Sequence, residues 1–103
     1  MNADILAIGP HPDDADIGVG GLLAKAAAAG RRVVIADLTA GELGTRGTTA
    51  ERAKEAQAAA AVLGAALRAC VGLPAGGLAN TDAQRRSVAG LIRRHRPRVV
   101  LAP

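Results

Sequence analysis

Four short runs of apolar or β-branched residues recur along the chain, separated by alanine-rich stretches, and this alternation constrains the fold more than any other feature. Ile5-Leu6-Ala7-Ile8 is closed by Gly9-Pro10 and suits a strand buried on both faces. From about Val19 to Ala29 the residues are small and apolar, with high helix propensity and a stop at Gly30. Arg32 to Leu38 is β-branched and bounded by turn residues, which predicts a second buried strand. Thr48 with Glu51 forms a capping box that opens a helix running to Leu63 and stopping at Gly64. Ala65 to Val71 reads as a short third strand, Gly72 to Leu78 as a loop, and Thr81 with Gln84 opens a helix over Asp82 to His95. Arg96-Pro97 ends that helix, and Arg98 to Ala102 is a fourth strand. The order βαβαβαβ implies an α/β fold, one domain over 1–103, with a parallel sheet covered by helices on both faces. In such sheets ligands bind at the carboxyl ends of the strands, where the two most polar loops of this chain fall.

The first of these loops, Gly9-Pro10-His11-Pro12-Asp13-Asp14-Ala15-Asp16-Ile17-Gly18, places one imidazole and three carboxylates within six positions. A neutral imidazole and a carboxylate are the usual ligands of a catalytic zinc, so His11, Asp13 and Asp14 are candidates for a metal site. Pro12 restricts His11 to extended geometry, and in extended backbone adjacent side chains diverge, so that one aspartate binds metal while its neighbour faces the substrate. The competing reading makes one of Asp13, Asp14 and Asp16 a cap for the following helix, which leaves the other two acids and the histidine without a role. Gly18-Val19-Gly20-Gly21 with Asp37 at a strand end is a poor nucleotide-binding fingerprint, because its glycines do not follow the strand directly; they fit close helix–sheet packing better. In the second loop, Gly41 to Thr48, Arg46 has room among glycines to grip a carboxylate or to stand free in solvent. Glu42 is a surface acid or a partner for Arg46.

Composition narrows the function classes. The net charge of +4 is carried largely by Arg85-Arg86 and Arg93-Arg94-His95-Arg96, yet the chain has no Phe, Tyr or Trp to stack on bases. This argues for a solvated helix face and no nucleic acid. A core of small aliphatic groups implies low stability per residue. Cys70 is the single cysteine, which excludes an internal disulfide, fits a reducing compartment and suits a buried structural thiol. An acid in Met1-Asn2-Ala3-Asp4 and the break at Gly9-Pro10 argue against a signal peptide, and no run reaches transmembrane length, so no membrane association and a cytoplasmic location are expected. His95 closes a helix antiparallel to the strands and should lie at the amino edge of the sheet, far from His11, interacting with the helix C-terminus.

His11-Pro12-Asp13-Asp14, preceded by a hydrophobic strand and followed by Ala15-Asp16-Ile17-Gly18, resembles the H-P-D-D-x-[ED] signature of the LmbE-like (PIG-L superfamily) N-acetylglucosaminyl deacetylases. Gly41 to Thr48, with Arg52 and Glu55 after it, and Gly72 to Leu78 look like the bacillithiol-biosynthesis branch of that family. The resemblance implies a Rossmann-like fold and a Zn2+-dependent hydrolase that removes acetate from a GlcNAc conjugate such as GlcNAc-malate. By position, it implies His11 and Asp14 as metal ligands, Asp13 as general base for the attacking water, Arg46 as a substrate contact and Asp16 as support behind them. Pro10 and Ala75 depart from the usual Ala and Asp of relatives. A second motif, H-P-D-H or similar, which in the family supplies a third ligand and a histidine for the leaving amine, has no counterpart in the 103 residues. The resemblance therefore implies an amino-terminal part of a deacetylase, truncated after the fourth strand, with weak metal binding and little activity by itself. The alternative is a non-catalytic sugar- or anion-binding module, or one completed by a partner such as a second copy pairing with the exposed fourth strand.

Overall fold

The computed structural model describes residues 2–44 and 47–103. Four parallel strands, β1 (Ile5–Gly9), β2 (Val33–Asp37), β3 (Leu67–Cys70) and β4 (Val99–Leu101), alternate with helices α1 (Asp14–Ala28), α2 (Thr49–Leu63) and α3 (Asp82–His95). The sheet order is β3-β2-β1-β4, with Ile5 opposite both Val33 and Val99 and Val34 opposite Leu67. The chain thus moves outward from β1 to β3 and then returns to the other side of β1. The crevice between the carboxyl ends of β1 and β4 is the topological switch point, the usual ligand position in open α/β sheets.

Period-two alternation sorts the side chains of the central strands between two cores. Leu6, Ile8, Val34 and Ala36 pack with Leu91 and Val88 of α3 on one face. Ala7, Val33 and Ile35 pack with Ala15 and Leu23 of α1 on the other, where Leu63 of α2 joins them. Helices therefore cover both faces, as the alternation of elements requires. All of β2 is buried, whereas the edge strands are not: Val99 and Val100 of β4 are 48% and 42% exposed. Among the described residues no helix is long and apolar enough to cross a membrane.

The helix starts follow the capping chemistry. Thr48 Oγ1 accepts from the Glu51 amide at 3.1 Å, and Thr81 Oγ1 accepts from the Gln84 amide at 3.3 Å. Gly64, at φ 80°, ends α2 in the left-handed conformation that glycine adopts without steric cost. Three sequence expectations are corrected. Helix α1 begins at Asp14 rather than near Val19, because Asp14 and Asp16 in its first turn complement the helix dipole and outweigh the glycines that follow. Those glycines are not needed for packing: a methyl at Gly18 or Gly21 would meet nothing within 4 Å, and one at Gly20 would make an ordinary contact with Leu63. Cys70, at the end of an edge strand, is exposed rather than buried.

Candidate active site

The β1–α1 loop turns sharply instead of running extended. The Asp14 amide donates to the His11 carbonyl at 3.2 Å, and the His11 amide donates to Asp14 Oδ2 at 2.8 Å. This reciprocal pair folds the loop so that His11 Nδ1 lies 3.3 Å from the same Asp14 oxygen. The helix start, rather than an extended backbone, therefore separates the two aspartates: Asp14 turns back to His11, and Asp13 is left exposed at the N-cap without a capping bond from its side chain. Gly9 makes the turn possible, since a methyl at this position would crowd the Asp14 side chain and the Ala15 backbone nitrogen.

The second loop is tied to the first by Thr39, which is fully buried. Its hydroxyl donates to the Pro10 carbonyl at 2.9 Å and accepts from the Gly41 amide at 3.2 Å, while its own amide also donates to Pro10 O. Beyond it, Glu42 accepts from the Ala75 amide at 2.8 Å, which joins this loop to the loop after β3 and holds the Glu42 carboxyl below its ordinary pKa. Glu42 is thus a loop-to-loop tie. Arg46, expected as a substrate contact, lies outside the described residues.

A different arginine lines the cleft. Arg52, from the first turns of α2, borders a cavity of about 340 Å³ together with His11, Asp13, Gly41, Leu43 and Ala75. Gly41 and Gly44 leave the space its guanidinium fills, for a methyl at Gly44 would lie 1.9 Å from Arg52 Nη1. On the other side of His11, an apolar cavity of about 470 Å³ opens between α1 and β4, bordered by Asp14, Val19 and Leu101. His11 and Asp14 therefore stand between a polar cleft and an apolar one.

Behind the loop sits a group that sequence reasoning missed. Arg68, central to β3 and 4% exposed, donates to both oxygens of Asp37 at 2.8 and 3.0 Å and to both oxygens of Asp16 at 2.9 and 2.8 Å. It also donates to the carbonyls of Pro12 and Ala56. Burial opposes the Arg68 charge, but the hydrogen bonds and charges of Asp16 and Asp37 outweigh it and raise its pKa above the ordinary arginine value. Burial also pushes the Asp37 carboxyl up, against the pull of Arg68. Bonded through both oxygens to a permanently charged guanidinium, Asp37 forms an ion pair with it. Asp16 spends both its oxygens on Arg68 and forms no side-chain hydrogen bond with His11 or Asp14. The sequence held a signal for this hub: a lone arginine inside an apolar strand, and an acid ending the buried strand beside it, each need a buried partner.

The donor set suits a zinc ion in part. Two ligands about 2.0–2.1 Å from zinc at a tetrahedral angle are about 3.3 Å apart, which matches the 3.3 Å between His11 Nδ1 and Asp14 Oδ2. Among the described residues no group of three His, Cys, Asp or Glu side chains gathers to complete such a site. His95 is remote, at the opposite edge of the sheet: its carbonyl accepts from the Ala3 amide ahead of β1. It is buried, and burial with the charges of Arg94 and Arg32 lowers its pKa, which disfavours the cation expected at the helix C-terminus.

Comparison with known proteins gives consistent matches. Residues 6–103 match the family model described as PIG-L, GlcNAc-PI de-N-acetylase. The diacetylchitobiose deacetylase of Thermococcus kodakarensis is 33% identical over 106 residues, covering 96% of this chain and 40% of that protein. A conserved protein of Thermus thermophilus has a TM-score of 0.94 and 50% identity, covering 98% of this chain and 46% of that one. The N,N'-diacetylchitobiose deacetylase of Pyrococcus horikoshii, solved with an inhibitor, has a TM-score of 0.91 and 30% identity over 98% of this chain and 41% of its own. The chain spans less than half the length of these relatives.

Proposed function

Because the chain belongs to the PIG-L (GlcNAc-PI de-N-acetylase) family, we propose that it carries the nucleophilic half of an N-deacetylase centre acting on an N-acetylglucosamine conjugate. The observation that carries this reading is the His11–Asp14 pair at chelating separation with Asp13 exposed beside it in the cleft. His11 and Asp14 would hold the metal, for which Zn2+ is the natural choice given one imidazole and one carboxylate. When bound, zinc acidifies water and polarises an amide carbonyl.

Asp13 takes the proton from the water that attacks the acetamide carbonyl and returns it as the C–N bond opens, so that acetate and a free amine leave. Arg52 orients the substrate from the cleft wall, and we assign the same role to Arg46. A carboxylate-bearing conjugate fits these cations better than a neutral disaccharide does, because a guanidinium binds a carboxylate through two parallel hydrogen bonds. This favours GlcNAc-malate, and with it the bacillithiol-type branch and a role in low-molecular-weight thiol biosynthesis in the cytoplasm. Neither a nucleic acid nor a membrane is needed as partner. With two donors gathered among the described residues rather than the three a catalytic zinc needs, the 103-residue polypeptide should bind zinc weakly and turn over slowly.

The test is calorimetric binding of GlcNAc-malate and of N,N'-diacetylchitobiose to the 103-residue protein, with and without Zn2+, alongside an assay for released amine. GlcNAc-malate should bind more tightly than the disaccharide and more tightly with zinc than without. Equal affinities, or binding indifferent to zinc, would refute the assignment. A second reading rests on the exposed edge of β4: a second copy completes the sheet and the metal site. A monomeric mass by light scattering at concentrations where zinc binds would eliminate it.

A further inference from the structure

We infer that Arg68 is the positioning residue that sets the geometry of the His11–Asp14 pair, an inference resting on the metal-holding role proposed for that pair. Arg68 starts on β3, two strands away from β1, and its side chain reaches the β1–α1 loop with 1% exposure. There it grips the loop on both sides of Asp14: at the Pro12 carbonyl before it and at the Asp16 carboxylate after it. The ladder of α1 begins one residue beyond Pro12, with the Ile17 amide donating to Asp13 O at 3.0 Å. The Pro12 carbonyl is thus left outside the helix and takes Arg68 as its partner. Fixing that carbonyl fixes the Pro12–Asp13 peptide plane, and with it the direction in which Asp13 leaves the loop. Because φ of Pro12 is locked by its ring, the approach of His11 is constrained as well.

Stability alone does not account for this arrangement. Replacing buried ion pairs by well-packed apolar residues is often neutral or stabilising, so a buried Arg68–Asp37 pair joined by the partly buried Asp16 is a poor device for holding a sheet together. It is a good device for orientation. The planar guanidinium, bonded along its edges to Asp37 and Asp16, is unable to rotate; its Nη2 group, shared between those two carboxylates, also meets Pro12 O, and the second Nη1 hydrogen goes to Ala56 O. Asp37, anchored in the fully buried β2, refers the loop to the most buried strand of the sheet. Lysine would keep the charge and lose the fork.

Arg68→Lys in the 103-residue protein tests this by amide hydrogen exchange and by Co2+ titration followed optically. Protection of the His11 amide, which donates to Asp14, should fall by about tenfold while β1 and β2 core amides keep theirs. The Co2+ dissociation constant should rise by about 10–100-fold, the usual effect of losing a group that orients a ligand. Equal loss of protection in loop and core, or His11 protection and Co2+ affinity within about twofold of the parent, overturns the inference and leaves Arg68 a purely structural ion pair. If Arg68→Lys fails to fold, Asp16→Asn decides. It spares the Arg68–Asp37 pair and weakens only the anchor on α1, and it should move both readouts in the same direction by a smaller factor; no movement overturns the inference. A parent protein that binds no Co2+ would refute the metal role of His11 and Asp14, while the exchange comparison would still decide the positioning role.

Discussion

Gly9→Ala probes the tightest joint between the sheet and the candidate site. A methyl group at this position would stand 3.1 Å from Asp14 Cβ, 3.2 Å from the Ala15 backbone nitrogen and 3.5 Å from the His11 carbonyl oxygen. Comfortable contacts to carbon lie near 3.5–4.0 Å, so the first two atoms must retreat by a few tenths of an ångström. Neither belongs to a flexible side-chain end; both move only with the start of α1. Overpacking of this kind costs about 1–3 kcal/mol. Alanine also lowers the entropy of the unfolded chain, which returns about 0.4–1 kcal/mol. The clash prevails, with a net loss of about 1–2 kcal/mol. In urea, with a slope of about 2 kcal/mol/M, the midpoint should fall by about 0.5–1 M. The His11 amide resonance should shift as its bond to Asp14 is disturbed. Gly18→Ala is the control: its methyl would meet nothing within 4 Å, and helix propensity alone should raise stability by about 0.8–1.0 kcal/mol. Gly9→Ala as stable as the parent would refute the reasoning, as would a loss of stability with the His11 resonance unmoved.

Gly44→Ala should cost about 1 kcal/mol, because its methyl displaces Arg52 Nη1, the end of a flexible side chain, but also crowds the backbone oxygen of Gly41 at 3.1 Å. It should also weaken GlcNAc-malate binding by about tenfold through loss of a charged hydrogen bond, and unchanged affinity would remove Arg52 from the site. His95 should make stability fall with acidity. Its folded pKa is lowered from 6.5, so between the two values the unfolded chain binds more protons; the contribution of His95 is full above about pH 6.5 and is lost as pH falls through the folded value. Denaturation midpoints from pH 7.5 to pH 5 should drop less for His95→Gln than for the parent, and parallel curves would show that burial of neutral His95 is not linked to folding.

The elements legible in the sequence are those governed by near neighbours. Thr48 and Thr81 each cap a helix through an amide three residues on, Gly64 stops α2, and the β-branched run of β2 is buried along its length. What the sequence hides is mostly contact between residues distant along the chain. Arg68 meets Asp16 across 52 residues, and Thr39 meets Pro10 across 29. Composition conceals both, as an arginine in a basic chain and a threonine after a strand do not stand out by count, and the only signal for Arg68 is its place inside an apolar strand. The start of α1 is obscured because three glycines weigh against helix locally, whereas the aspartates that favour it are claimed by the site. His11 and Asp14 pair by resemblance to a known signature, but the turn that brings them together is set by Gly9 and the His11 amide, which no rule of extended backbone foresees.

The absence of aromatic residues bears on how such a site can be held at all. Metal and substrate groups need placement within about 0.5 Å, which usually comes from locked rotamers and surrounding hydrogen bonds. Here the side chains between α1 and the sheet are Ala7, Ala15, Leu23, Val33 and Ile35, several of them too small to steer a neighbour by their own bulk. Their smallness has a different use. It lets α1 approach β1 until no room is left for a methyl on Gly9, so the closeness of the helix start to the strand end defines one coordinate of the loop. The remaining coordinates come from polar ties, with Thr39 holding Pro10 and Arg68 holding Pro12 and Asp16. Both prolines that flank His11 are therefore bonded through their carbonyls to the β2 and β3 side of the sheet, and the histidine between them adds its own amide bond to Asp14. In this chain precision is delivered by charge and hydrogen bonding to a small-residue scaffold, which is why a buried arginine on an edge strand matters to a loop two strands away.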